Sequence, residues 1–337
     1  MKRAVLLVFI LVVCAPTVPA EETSAPGARG VPESNALTRP VAAMRPVTYV
    51  DRYCSGFISK APLAQTTFIS GSIYTPHTSK LGGGDVVYVT GPGLREGMQF
   101  QIVRELRDPN RSELFKGQHG LMRQAGKPYA ELGRLRIMDT RQKMAIAVIE
   151  FGCKAAVPGD ILIPWVERPE IPVRGHVVVD RFAPANGKLT GRIVMAQDFD
   201  SLLGVGHKIY LTVGGTNGVK AGDIFRVYRS PDTELRDEVE ALSYKSAGMV
   251  EDSQTNPARI RTGGLSLDPE FFDIGRGPKV QVKDLPRRIV GEIVVLNVTP
   301  TSATAMITVA LEDIHLGDGV EADDPAASTT AQDKVAR

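Results

Sequence analysis

The sequence predicts an all-β protein built of two tandem, related modules, each a small β-barrel or β-sandwich, the second carrying a longer insertion. Three observations lead there. Stretches such as "KIYLTV", "IFRVYR", "GEIVVLNV" and "ATAMITVAL" alternate apolar and polar residues with period two and are rich in β-branched and aromatic side chains, the pattern of half-buried strands. Turn residues separate them, with 33 Gly and 23 Pro in 337 residues, which leaves little room for long helices. The second half of the chain also reads as a variant of the first.

Taken in order, Lys2 and Arg3 precede an apolar run, Ala4 to Val13, and "TVPA" then offers Val18 and Ala20 at the small positions a signal peptidase reads. Residues 1–20 are therefore expected to be an export signal whose removal leaves 317 of the 337 residues. The alternative, a lipid anchor at Cys14, would have Val13 where a lipobox wants a small residue. No apolar stretch reaches the ~20 residues of a membrane span, so no transmembrane segment is expected. Residues 21–48 hold Pro26, Pro32, Pro40 and Pro46 among Ser, Gly and Ala and are expected to lack fixed structure, as is the polar tail 323–337.

Between those ends the repeat sets the modules. Gly71 and Ile73 match Gly191 and Ile193 at an offset of 120; Gly84 and Tyr88 match Gly206 and Tyr210 at 122. Gly97 in "GLREGMQFQIVR" matches Gly222 in "GVKAGDIFRVYR" at 125. From Gly133 the match runs without a gap at 158, placing Ala145, Ala147, Ile149, Gly159 and Asp160 on Ala303, Ala305, Ile307, Gly317 and Asp318. Module 1 is expected over 49–167 and module 2 over 174–322, with about six short strands each and a boundary at "ERPEIPVRG". The jump in offset places an insertion at about 230–290, with an acidic run from Asp232 to Glu240; it reads as a solvated loop or short helix, or as a recognition element.

The two copies act as a comparison of what each position demands. The glycine stays while its successor changes: Met98 after Gly97 but Asp223 after Gly222, and Asp85 after Gly84 but His207 after Gly206. A shared catalytic carboxylate could not become Met, whereas a turn needing positive φ keeps Gly and tolerates several successors. Gly84, Gly97, Gly159, Gly206, Gly222 and Gly317 are accordingly expected to be structural turns, with Val219 and Phe225 in the core and Asp223 bonding nearby amides.

No catalytic, cofactor-binding or metal site is expected. The nucleophile elbow, the His-Glu-x-x-His helix and the phosphate-binding loop are all missing from the sequence. His77, His119, His176, His207 and His315 have no short ligand spacing. Glu312, Asp313, Asp318, Glu321, Asp323 and Asp324 lack the alternation of a calcium loop and read as a solvated acidic exit from the last strand. "DRFAP", Asp180 to Pro184, reads as a strand end entering a turn whose Asp–Arg pair beside Phe182 could seat one module on the other. With the signal removed, 38 basic residues balance 38 acidic ones, which argues against nucleic acid as a partner.

The patterns "YCSGFI", "GDVVYV", "GVKAGDIFRVYR" and "GEIVVLNV…SATAMI…LGDGV" resemble those of exported bacterial proteins of acidobacterial type. They are also similar to the β domains beside LysM modules in envelope proteins and to the C-terminal domain of flagellar assembly protein T. The resemblance spans about Tyr53 to Val320 and implies a non-enzymatic envelope protein, exported to the periplasm or cell surface, whose modules form a binding or assembly scaffold for an envelope protein or cell-wall glycan. The alternative is a periplasmic hydrolase with a site on the 230–290 insertion.

Two cysteines remain after the signal, Cys54 and Cys153, and an exported compartment permits their oxidation. Cys54 would begin the first strand of module 1 and Cys153 end its last hairpin, so a disulfide would tie that module's start to its finish. Module 2 has neither cysteine, as expected of a bonded pair lost or gained together. The alternative is two buried, unpaired thiols.

Overall fold

The structure is a computed structural model. It describes residues 38–40, 45–76, 80–110, 112–141, 143–172, 178–230, 259–261, 279–281 and 285–323. The chain begins with β1 (Thr38–Pro40), α1 (Tyr49–Tyr53) and β2 (Phe57–Ser59), then β3 (Phe68–Ser72), β4 (Val86–Thr90) and β5 (Gln99–Glu105). It continues with α2 (Gln118–Ala125), β6 (Lys127–Arg141), β7 (Met144–Gly152), β8 (Ile161–Pro164) and β9 (Val178–Asp180). The second half has β10 (Thr190–Ala196), β11 (Leu202–Leu203), β12 (Lys208–Leu211) and β13 (Ile224–Arg229), then β14 (Arg259–Arg261) and β15 (Lys279–Gln281), a parallel pair within the insertion. It ends with β16 (Arg288–Val298), β17 (Ala303–Ala310), β18 (Ile314–His315) and β19 (Gly319–Asp323).

Each half closes into a six-stranded antiparallel barrel, so the open choice between barrel and sandwich resolves to barrels. The first runs β6-β5-β8-β3-β4-β7 and closes through β6–β7 pairing, with β2 added along the start of β6; the second runs β16-β13-β19-β10-β12-β17. The cyclic orders are the same, strand for strand. Closure abolishes the exposed edges that strands this short could not otherwise protect. Both barrels lie in one compact unit, Leu37–Arg337.

Six turns of one design repeat through the two barrels, three in each. The glycines at 84, 97, 159, 206, 222 and 317 all have φ between +81° and +98°, and the next amide donates to the carbonyl three residues back at 3.1–3.3 Å. This is a turn that only glycine enters without strain. Each glycine amide also donates to the neighbouring strand, at 2.7–2.9 Å, to the carbonyl of Ile149, Ile137, Ile69, Ile307, Val295 and Ile193 in turn. The amides of those six residues answer to the carbonyl after the glycine at 2.9–3.1 Å. Their side chains are all at most 1% exposed, so every turn is bolted to a core residue.

Several expectations shift. Ile69 and Ile193 receive the same bond from Gly159 and Gly317, which sets the β3–β10 offset at 124 rather than the 120 read from Gly71 and Gly191. Gly71 lies two residues after Ile69 whereas Gly191 lies two before Ile193, so these glycines are not counterparts; the bulges after Ile69 and Ile193 do coincide at 124. Within the segment expected to be unstructured, Thr38–Pro40 pairs with Val178–Asp180, and Thr48 caps α1. Asp323 belongs to β19, not to the tail. Residues 45–47, just before Thr48, are also described, with Arg45 on Asp51 and Val47 packed beside Ile171, Leu296 and Met306; the acidic run of the insertion, residues 21–37 and 41–44, and the tail from 324 lie outside the described residues.

Candidate functional site: the joint between the barrels

A strap of residues 48–59 joins the barrels. It starts at α1, where the Thr48 hydroxyl accepts from the Asp51 amide and the Asp51 carboxylate accepts from the Thr48 amide, a reciprocal cap. Cys54 lies at the end of this helix, not at the start of a strand, and bonds to Cys153 just after β7, with Cα atoms 5.7 Å apart. The disulfide closes a 99-residue separation and fixes the strap to barrel 1. An aromatic stack secures it further: Tyr53 lies 4.4 Å from Trp165 and 4.6 Å from Tyr49, ring centre to ring centre, and Arg134 covers Trp165 at 4.9 Å. Buried Glu131 takes Arg168 and the Gly56 amide.

The other side of the strap lies on the outer surface of barrel 2. The Tyr210 hydroxyl donates to the Ser55 carbonyl (3.0 Å), Thr304 to that of Gly56 (2.9 Å) and Gln197 to that of Cys54 (2.7 Å). Lys208 reaches Asp51 at 2.6 Å. Burial alone would raise the Asp51 carboxyl, but hydrogen bonds from Lys208 and Thr48 hold it below its ordinary range. Burial, with Glu131 and Asp198 nearby, pushes the Tyr210 phenol far up and keeps it a neutral donor. Ile58, wholly buried, joins the core cluster of barrel 2 although its neighbour Phe57 packs into barrel 1. Gly56 allows this approach, because a Cβ there would fall 2.4 Å from the Tyr210 oxygen.

A second bridge comes from the connection between β5 and β6. Phe115 is buried in the barrel 2 cluster under Gly317, Gln118 of α2 donates to the Val194 carbonyl (2.9 Å), and Thr301 donates to that of Ala125 (2.9 Å). The corresponding connection in module 2 is the insertion.

The residues after the six turn glycines show what that position does. Asp85, Asp160, Asp223 and Asp318 each accept the amide three residues back through a carboxylate, at 2.7–2.8 Å. His207 accepts it through Nδ1 at 3.2 Å and Met98 through Sδ at 3.3 Å. Carboxylate, imidazole and thioether thus perform one structural task. Val219 and Phe225 are buried, at 4% and 1% exposure.

Four of the six acidic residues near the C-terminal strand are paired rather than a solvated exit, while Asp313 is exposed as expected and Asp324 lies outside the described residues. Asp318 is fully buried and takes a two-bonded Arg229 (2.8 and 2.8 Å); Glu321 is buried on Arg287, Glu312 meets Arg181 and Arg288, and Asp323 meets Arg226. Barrel closure sets β13 beside β19 and so brings arginines and carboxylates together, a pairing invisible along the sequence. Barrel 1 has the same device, Arg104 on Asp160 at 2.7 and 2.7 Å, and in both barrels the arginine also reaches a loop carbonyl, Ala155 or Asp313. "DRFAP" is a strand end and turn, with Asp180 accepting the Phe182 amide, and among the described residues Arg181 bonds within module 2, to Glu312, rather than seating one module on the other.

Among the described residues no group of three His, Cys, Asp or Glu could hold a metal ion, and no helix is long and apolar enough to cross a membrane. An open, mostly apolar cleft of about 500 Å³ lies beside α2, lined by Asp108, Asn110, His119, Met122, Arg123 and Pro128. No family model and no curated protein matches the chain.

Proposed function

We propose that the chain is a non-enzymatic component of a bacterial envelope, exported by its leader, in which two barrels descended from one duplicated module form a rigid assembly scaffold for an envelope protein. The observation that carries this reading is the set of six turns. Where a duplicated enzyme would keep a reactive group, this chain exchanges Asp for Met or His and spends each of them on its own turn amide. The buried carboxylates of Asp318, Glu131 and Asp51 are likewise held in ion pairs, and the joint uses its polar groups to hold barrel to barrel. The disulfide supports export, since such bonds persist in oxidising compartments. The resemblance to β domains of LysM-containing envelope proteins and of flagellar assembly protein T points the same way.

Expression with its own leader in a Gram-negative host tests the reading. The protein should be released by osmotic shock with a mass beginning at Glu21 and no alkylatable thiol, and cross-linking in native envelopes should give a discrete adduct with an envelope protein. Retention in the cytoplasm, or release of soluble fragments from purified cell-wall sacculi, would overturn it; co-sedimentation with sacculi and no protein adduct would make glycan the partner instead.

A further inference from the structure

The joint that unites the barrels is present a second time in the chain with its two halves unmated. On barrel 2, the outer surface of β12, β17 and β16 is sealed: Tyr210, Thr304, Met306 and Leu296 are all at most 1% exposed. The shared register places Tyr88, Ile146, Val148 and Met138 at the matching positions of barrel 1, since Tyr88 pairs with Ile146 as Tyr210 pairs with Thr304. Here the first three are only half-buried, Met138 is 49% exposed, and Ile73 beside them is 51% exposed. Among the described residues no strap lies on this face of barrel 1, which leaves it as an acceptor.

The matching strap of module 2 has β1 beside its first residue, Asp180 opposite Thr38, but among the described residues no second barrel lies on Asp180–Pro184. In module 1 the pairing of Phe57 with Tyr129 continues to set Ser55 opposite Glu131; in module 2 the Ile289 amide donates to the Arg181 carbonyl at 2.7 Å, which makes Arg181 the counterpart of Ser55. Asp180, Phe182 and Pro184 then correspond to Cys54, Gly56 and Ile58. The module 1 residues are buried against barrel 2, whereas Asp180 and Pro184 are exposed and Phe182 is 43% exposed. The exchanges also match across the joint. Within the chain, the bare backbone of Gly56 meets a hydroxyl, Thr304; in the unmated pair the apolar Phe182 would meet the apolar Ile146.

We propose that the open β4–β7–β6 face of barrel 1 receives the Asp180–Pro184 strap of a second copy of this chain, so that copies join head to tail. Each copy offers one donor and one acceptor, an arrangement that is heterologous and is not capped at two. This deepens the scaffold reading by naming the partner as self, and it fails separately: a chain that stays monomeric yet is cross-linked to an envelope protein would sink this inference and leave that reading standing.

Analytical ultracentrifugation of the purified protein with two single variants tests it. Met138→Asp disables the acceptor and Phe182→Asp the donor; both sites are solvent-exposed, and unchanged circular dichroism with no free thiol will show that the variants fold. Wild type should form species beyond dimer as concentration rises to about a hundred micromolar, a loading typical of weak self-association. Each variant alone should remain monomeric. An equimolar mixture should give a dimer and nothing larger, because each variant keeps one intact half of the joint. A wild type that stays monomeric, or a Phe182→Asp variant that still dimerises through barrel 1 faces, would overturn the proposal.

Discussion

β7 and β17 hold the same place in the two barrels, yet one is buried on one side and the other on both. Along β7 the inner residues Ala145, Ala147 and Ile149 are covered while their neighbours are not; along β17 every residue from Ala303 to Val309 is buried. The difference does not come from the barrels, whose strand order and turns agree. It comes from what lies outside: a strap from the preceding module covers β17, and among the described residues nothing equivalent covers β7. A strand's burial in such a tandem array therefore reports on its neighbour as much as on its own barrel.

The comparison can be broken at its strongest points first. Arg229 and Arg104 hold the same carboxylate position in the two barrels, but their side chains are 9% and 38% exposed. Arg229→Met should cost about 3–5 kcal/mol by stranding buried Asp318, and Arg104→Met only about 1–2 kcal/mol, since Asp160 is buried but the Arg104 side of that pair is open to water; urea unfolding of the two variants measures both. Equal losses would mean that burial does not govern these pairs. Next, Ile58→Ala should cost about 2–4 kcal/mol as a core truncation inside the joint, while Met138→Ala on the open face should change stability by less than about 0.5 kcal/mol.

Glycine substitutions sharpen the same contrast. Gly159 and Gly317 have φ of +97° and +98°, so alanine strains both by about 1–2 kcal/mol. Only at 317 would the new Cβ meet a ring, 2.8 Å from Phe115, whereas at 159 it would meet open space. Gly317→Ala should therefore be the worse by about 1–2 kcal/mol of overpacking, and thermal unfolding that ranks the two alike would argue that the β5–β6 connection does not rest on barrel 2. The smallest effect is a pH dependence. Asp51 sits in the sealed joint opposite Lys208, and its carboxyl lies below the ordinary 3.8. A depressed folded value adds stability that is complete above that ordinary value and disappears as pH falls through the folded one. The gap between wild type and Asp51→Asn should accordingly be constant at neutral pH and close under acid; on barrel 1 the Lys208 position is Val86, which offers no such term.

Much of the barrel architecture was legible because turns and strands are local. A glycine held at positive φ leaves its mark in two copies however its successor changes, and inner strand positions such as Ala145 and Ala147 recur at Ala303 and Ala305. The disulfide was legible from two cysteines and their places in one module. What escaped was non-local. A chance match of Gly71 with Gly191 hid the true register of β3 and β10, Arg226 and Arg229 of β13 sit far in sequence from Asp323 and Asp318 that they neutralise, and the fully buried run of β16 and β17 loses the alternation that marks a half-covered strand. The joint is non-local in the same way, so neither the strap's role nor the sealed face of barrel 2 could be read before the fold was known.

Tyr88 and Tyr210 occupy matched positions on the two outer faces and give the most direct test. Brief nitration of dilute protein with tetranitromethane, followed by peptide mapping, should modify Tyr88 and spare Tyr210, which is fully buried with its hydroxyl on the Ser55 carbonyl; at high concentration Tyr88 should become protected as well. Equal modification of the two tyrosines in dilute protein would contradict the account, since it would mean that the strap does not seal barrel 2 and that the two faces do not differ.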